Sequence, residues 1–197
     1  MFTNGSQLVR FILAIAVAVG AFVFFVAPTR YTVDELNETI VHEHGLQVAT
    51  FGDAPAERVL ERFGRYRRIG DGGAVGDSGS DPTTGFLRSE YGRSLGALLL
   101  LSLYRVSAFV ELLPLVLPFL VVFMVDGLVT RSVRALEFVP HSAGIYGAAY
   151  LGLVTVFSVT VVAMSLPVLV HPMLFASAPF AAAVLAGRAA ANFHKQG

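Results

Sequence analysis

His42-Glu43-His44, with Glu38 one turn earlier, comes nearest in this sequence to a set of metal ligands. Imidazoles and carboxylates hold zinc when three or four of them converge. On a helix Glu38 and His42 share a face, and His44 cannot join them. The spacing also departs from the helical zinc-protease pattern. The triplet reads as a solvated helix end. A second group is Arg105 and Glu111, ionisable residues inside a long apolar run. Charge in lipid is costly, so such a candidate intramembrane polar site is either a pathway or a paired structural feature. Six positions apart, the two do not face each other on one helix, and the partner of each must come from elsewhere. Thr155, Ser158 and Thr160 can bond their own helix, so a proton path lacks further groups. Ser158, Ser165 and Ser177 have no convincing basic partner, and no phosphate loop, nucleophile elbow or catalytic carboxylate pair occurs. The sequence implies no catalytic residue, no cofactor and no metal.

These groups must be held by membrane helices. Of 197 residues 55% are hydrophobic and 14% charged, whereas a soluble domain carries about a quarter charged. Formal net charge is zero, so no basic field argues for direct nucleic-acid binding. Cysteine is absent, which excludes disulfides and thiolate metal sites. The expected fold is all-α: a polytopic bundle of four transmembrane helices, with a small helical excursion between the first two.

Residues 1–28 form the first anchor, apolar from Phe11 to Ala27 and ended by Pro28. Bulky Phe25 argues against signal-peptide cleavage after Ala27. Residues 29–93 form the excursion. Thr32-Val33-Asp34-Glu35 has capping-box form and predicts a short helix stopped by Gly45. Asp53 predicts a second helix, with Val59, Leu60 and Phe63 inward and Glu57, Arg58, Glu61 and Arg62 toward water. Residues 69–85, rich in Gly, Asp and Ser, predict a flexible loop. Residues 94–197 form an interfacial helix and a three-span domain. Leu95–Leu128 is too long for one crossing; placing 108–129 in lipid puts Arg105 at one surface, Glu111 just inside it and Asp126 near the other. Leu95–Tyr104 then lies at the interface, with Tyr104 at headgroup level. Pro114 and Pro118 leave carbonyls one turn earlier without donors and predict a kink. Residues 131–142 make a polar connector, Ile145–Leu166 a third span and Met173 to about Ala189 a fourth.

Two stripes of small residues, Gly144, Ala148 and Gly152 on the third span and Ala178, Ala182, Ala186 and Ala190 on the fourth, predict close helix packing. Short-loop arginines place the 131–142 connector and both termini in the cytoplasm. The excursion is then periplasmic.

Asp126-Gly127-Leu128-Val129 with Arg131, then Glu137-Phe138-Val139 with His141, then Val170-His171-Pro172 before the last span, carry a family resemblance. Over residues 95–195 the chain resembles an integral membrane-protein family of integrating conjugative elements and conjugative plasmids, associated with type IV secretion. Departures are the Gly/Asp/Ser stretch and Pro140 beside His141. The resemblance implies a multi-pass bacterial inner-membrane protein beside a conjugation machine and its coupling ATPase, with no enzymatic activity. On this reading Asp126, Gly127, Arg131, Arg134, Glu137, His141, His171 and Pro172 are partner-contact or structural residues. The expected partners are the lipid bilayer and other conjugation-machinery membrane proteins, with homo-oligomerisation open. The alternatives are a small transporter or channel using Glu111, and an exclusion or immunity factor acting between cells.

Overall fold

A computed structural model describes residues 3–74, 89–137 and 142–193, and within them the fold is helical throughout. The helices are α1 (Thr3–Arg30), α2 (Val33–Phe51), α3 (Asp53–Ala74), α4 (Glu90–Leu136), α5 (Ala143–Ser165) and α6 (Met173–Asn192). Four of them, Gln7–Arg30 in α1 together with α4, α5 and α6, are long and apolar enough to cross a membrane. The protein is a helical membrane protein.

Local chemistry sets most boundaries. The capping box at Thr32 forms as its sequence predicts, with the Thr32 hydroxyl accepting from the Glu35 amide and the Glu35 carboxylate accepting from the Thr32 amide. Gly45 does not stop α2. The helix runs on to Phe51 and ends at Gly52, whose φ of 86° favours glycine. A lone glycine in a helix costs only about 1 kcal/mol. Helix α3 reaches Ala74, through the first residues of the expected 69–85 loop, of which 75–85 lie outside the described residues. The polar connector is likewise helical as far as Leu136.

The 47 residues of α4 are one helix running through Pro114 and Pro118. At 1.5 Å per residue this is about 70 Å, more than twice a bilayer core. Its exposed large apolar side chains are Leu99 and Val106, then a dense series from Leu115 to Leu136. An exposed apolar surface of this extent suits lipid. Tyr104 is buried, at 1% exposure.

The chain divides into two compact units. One comprises Ala18–Glu111 and Val162–Met173. Its core joins Val23 and Ala27 of α1, Leu36 of α2 and Ala97, Leu98 and Leu101 of α4, while Val59 of α3 packs with Tyr104 and Ala108. Leu60, expected inside, is 40% exposed because the buried stripe of α3 runs through Ala56, Val59 and Phe63. The other unit comprises Met1–Val17, Leu112–Val161 and Leu174–Gly197. Its helices meet through glycine.

Candidate functional site

Arg105 has no solvent exposure, and all five of its N–H groups are engaged. Nε donates to Glu43 at 3.0 Å and Nη2 to the same carboxylate and to the Val168 carbonyl. Nη1 donates to the carbonyls of Ala163, at 2.9 Å, and Leu166. Glu43, 3% exposed, accepts in addition from the Val170 amide at 2.9 Å. A buried guanidinium is tolerable only when paired and fully hydrogen-bonded, and the planar fork of arginine suits five fixed acceptors.

The acceptors have a covalent origin. Pro167 has no N–H, so Ala163, four residues earlier, loses its helical donor as α5 ends. Arg105 supplies the replacement. The same substitution occurs at Pro28, which frees the Phe24 carbonyl; Tyr91 of α4 donates its hydroxyl there at 3.3 Å. Two spans are thus pinned beside a proline near their ends by side chains of α4. The Val170-His171-Pro172 motif belongs to the first of these pins. Val170 bonds Glu43, His171 Nδ1 accepts from the Met173 amide at 3.2 Å and so caps α6, and Pro172 is buried.

Around this pair the polar cluster continues. The Tyr104 hydroxyl donates to Gln47 at 2.9 Å and lies 3.4 Å from His44 Nδ1, with the Phe63 and His44 rings edge-on to it. Gln47 Nε2 is buried without a partner among the described residues. Of the His42-Glu43-His44 triplet, His42 faces solvent, His44 is half-buried and Glu43 turns inward. Among the described residues no three His, Asp or Glu side chains converge as metal ligands.

Glu111 is held by α3. Arg58 Nε and Arg62 Nη2 each engage one carboxylate oxygen, the latter at 3.0 Å, and the Glu111 side chain is 10% exposed. Arg58 and Arg62, four apart on the same face, were expected to face water; Arg58 does so, at 56% exposure, while its Nε reaches Glu111, and Arg62 is 23% exposed. Arg105 is enclosed by Glu43 and the 163–170 turn. A signal for the first pair was in the sequence. Leu36, Ile40, Glu43 and Gln47 follow helical spacing, which puts an acid on the buried face of α2.

In the other unit, Gly127 of the Asp-Gly-Leu-Val motif and Gly187 of α6 lie against each other's helices. A Cβ on Gly127 would run into the Gly187 carbonyl oxygen and one on Gly187 would sit 2.5 Å from the Phe123 carbonyl oxygen. Arg131 stacks over Phe193, 5.2 Å from its centroid, and Arg134 donates to Asn192 at 2.8 Å. Asn192 in turn donates to the Arg188 carbonyl, and Phe193 meets Tyr146. Asp126 and Glu137 are exposed; His141 lies outside the described residues. Gly152 packs against Leu185, while Gly144 and Ala148 are exposed. On α6 the fully buried stripe is Phe175, Ala183, Gly187 and Ala191, with Ala178, Ala182 and Ala186 half-buried beside it and Ala190 close to Gly127.

Apart from Phe24 and Pro28, the residues that build these contacts fall within one matched stretch. A family model described as DtrJ-like, the IncC plasmid conjugative DNA transfer protein, covers residues 38–194. The chain belongs to the DtrJ-like family. Membership implies a role in conjugative DNA transfer. The match begins at Glu38 and takes in the Glu43–Arg105 pair, the Glu111 cluster, the Gly127–Gly187 crossing and the Val170-His171-Pro172 turn. No match was found among curated proteins or solved structures.

Proposed function

We propose that the protein is a non-enzymatic accessory or scaffold subunit of the conjugative DNA-transfer apparatus, lodged in the bacterial inner membrane with both termini cytoplasmic and the 29–93 excursion periplasmic. It works by holding a protein-contact surface at fixed height in the bilayer. The observation that carries the reading is how the buried charges are used. Arg105 and Glu43 close on each other and on backbone groups, and Glu111 closes on two arginines. Such arrangements fix helices rather than conduct a proton or a substrate. Arg131 and Arg134 are likewise turned onto Phe193 and Asn192.

What remains for a partner is the opposite face of the end of α4. Asp126, Val129, Val133 and Leu136 recur at helical spacing and are exposed, Leu136 at 80%, with exposed Glu137 beside them. Apolar residues edged by two acids suit a membrane helix of another conjugation protein that ends in arginine or lysine, the coupling ATPase being the first candidate. The test is the double variant Val133→Asn with Leu136→Asn. Conjugative transfer and co-purification of the coupling ATPase should fall about tenfold or more, since two central contacts each carry about 1 kcal/mol or more, while the variant still inserts and accumulates. Unchanged transfer with a stably inserted variant removes this face from the proposal.

A further inference from the structure

At the junction of α1, α2 and α4 lies a cavity of about 470 Å³, lined by Pro28–Asp34 on one side and Glu90, Arg93 and Ser94 on the other. That size lies in the range of small-molecule sites, about 300–1,000 Å³. Its charge pattern is unusual. Arg30 and Arg93 supply two guanidinium groups, Asp34 and Glu90 two carboxylates, and none of the four side chains is engaged in a hydrogen bond or ion pair with any residue of the described structure. Elsewhere in this unit acids and arginines within reach close on each other, as Glu43 and Glu111 do. Four unclosed charges of both signs around one hollow suit a ligand that brings both charges itself.

Position narrows the class. Arg30 ends the apolar span of α1. Phe22, Phe25 and Thr29 share one face of α1 by their spacing. The two phenylalanines are 64% and 72% exposed, and Thr29 lines the cavity. An exposed apolar track on a membrane helix therefore leads directly into the charged hollow. Tyr31 lines it, and Tyr91, bonded to Phe24, closes α4 onto α1 beneath it; tyrosines at such a level mark the lipid headgroup boundary.

We propose that this cavity seats the head group of a zwitterionic aminophospholipid, its phosphate against Arg30 and Arg93, its ammonium against Asp34 and Glu90, and an acyl chain along Phe22 and Phe25. Guanidinium recognises phosphate through parallel hydrogen bonds, and a primary ammonium can donate to both carboxylates where a quaternary one cannot. The proposal is independent of any partner at the end of α4.

The test uses the full-length protein, stripped of lipid in detergent and offered phosphatidylethanolamine, phosphatidylglycerol, phosphatidylcholine or soluble glycerophosphoethanolamine, with occupancy read by native mass spectrometry. The wild-type protein should retain phosphatidylethanolamine about tenfold over the other two lipids, the discrimination expected of one charge-assisted hydrogen-bond set. Arg30→Gln with Arg93→Gln should lower retention of every phospholipid about tenfold. Asp34→Asn with Glu90→Gln should reduce phosphatidylethanolamine to the phosphatidylglycerol level and leave the latter unchanged. Equal retention of all three lipids by the wild-type protein, or no response to either double variant, overturns the proposal. Competition by glycerophosphoethanolamine at the concentration that saturates with lipid would overturn the lipid assignment in favour of a free phosphodiester. The wild-type selectivity decides the matter even if a double variant fails to fold.

Discussion

The two compact units solve one problem, holding apolar helices together, by opposite means. The unit of Ala18–Glu111 and Val162–Met173 uses charge and hydroxyls: Arg105 pairs with Glu43 and donates to carbonyls around Pro167, Glu111 takes two arginines, and Tyr91 donates to the Phe24 carbonyl freed by Pro28. The unit of Met1–Val17, Leu112–Val161 and Leu174–Gly197 uses the lack of a side chain, pressing Gly127 against Gly187 until backbones touch. The difference follows from the surroundings of each element. In the second unit small residues let helix backbones approach closely, although Pro114, Pro118 and Pro179 lie inside its helices. Where a proline ends a helix, carbonyls are left over, and only a donor can restore them.

The largest effects should come from breaking the charged unit. Arg105→Met removes five donors, leaves Glu43 buried with only the Val170 amide and frees three carbonyls again. Loss of one partner of a buried pair costs about 3–5 kcal/mol. We expect a sharply lowered unfolding midpoint in detergent and poor accumulation; Arg105→Lys, which keeps the charge without the fork, should recover part of it. A midpoint within error of the wild type would show that the turn is held by something else.

Next comes the glycine crossing. Gly127→Ala or Gly187→Ala forces a methyl group into backbone, and overpacking of this kind costs about 1–3 kcal/mol or more. Gly147, whose missing Cβ has open space around it, is the control; Gly147→Ala should be neutral or slightly stabilising through helix propensity. Equal behaviour of the three alanine variants would erase the contrast between the units.

A smaller loss is expected at Glu111→Gln. Arg58 is 56% exposed and will rehydrate, and Arg62 is 23% exposed, so the penalty should be about 1 kcal/mol, with most of the effect gone at high salt. Smallest is Phe193→Ala, which removes the ring beneath Arg131. A partly exposed cation–π contact is worth about 0.5–1 kcal/mol, and a larger fall would mean that Phe193 matters through Tyr146 instead.

Much of the plan was legible in the residues. Apolar run length showed four spans, the Thr32–Glu35 spacing showed the start of α2, and the six-residue offset of Arg105 and Glu111 showed that neither could satisfy the other. What the spacing could not give was which distant residue answers each. Glu43 looked like one of three polar neighbours at a helix end, because Gly45 read as a stop; once α2 continues to Gln47, Glu43 lies on its buried face. Arg58 and Arg62 looked solvated because arginine usually is. The small-residue stripes were visible as composition, but the contact surface on α6 runs through Ala183, Gly187 and Ala191, one position round from the perfect alanine repeat. A packing partner chooses the face, and that choice is tertiary.

The pairing of Glu43 with Arg105 is the claim on which this account turns, and a double-mutant cycle in detergent measures it directly. Arg105→Met, Glu43→Gln and the combined variant should show a coupling energy of about 2 kcal/mol or more, the combined variant losing less than the sum of the two single changes because no buried charge is left alone. Additive losses would mean that the two side chains stabilise the protein independently, and that the α2–α4 clamp described here does not hold the 163–170 turn.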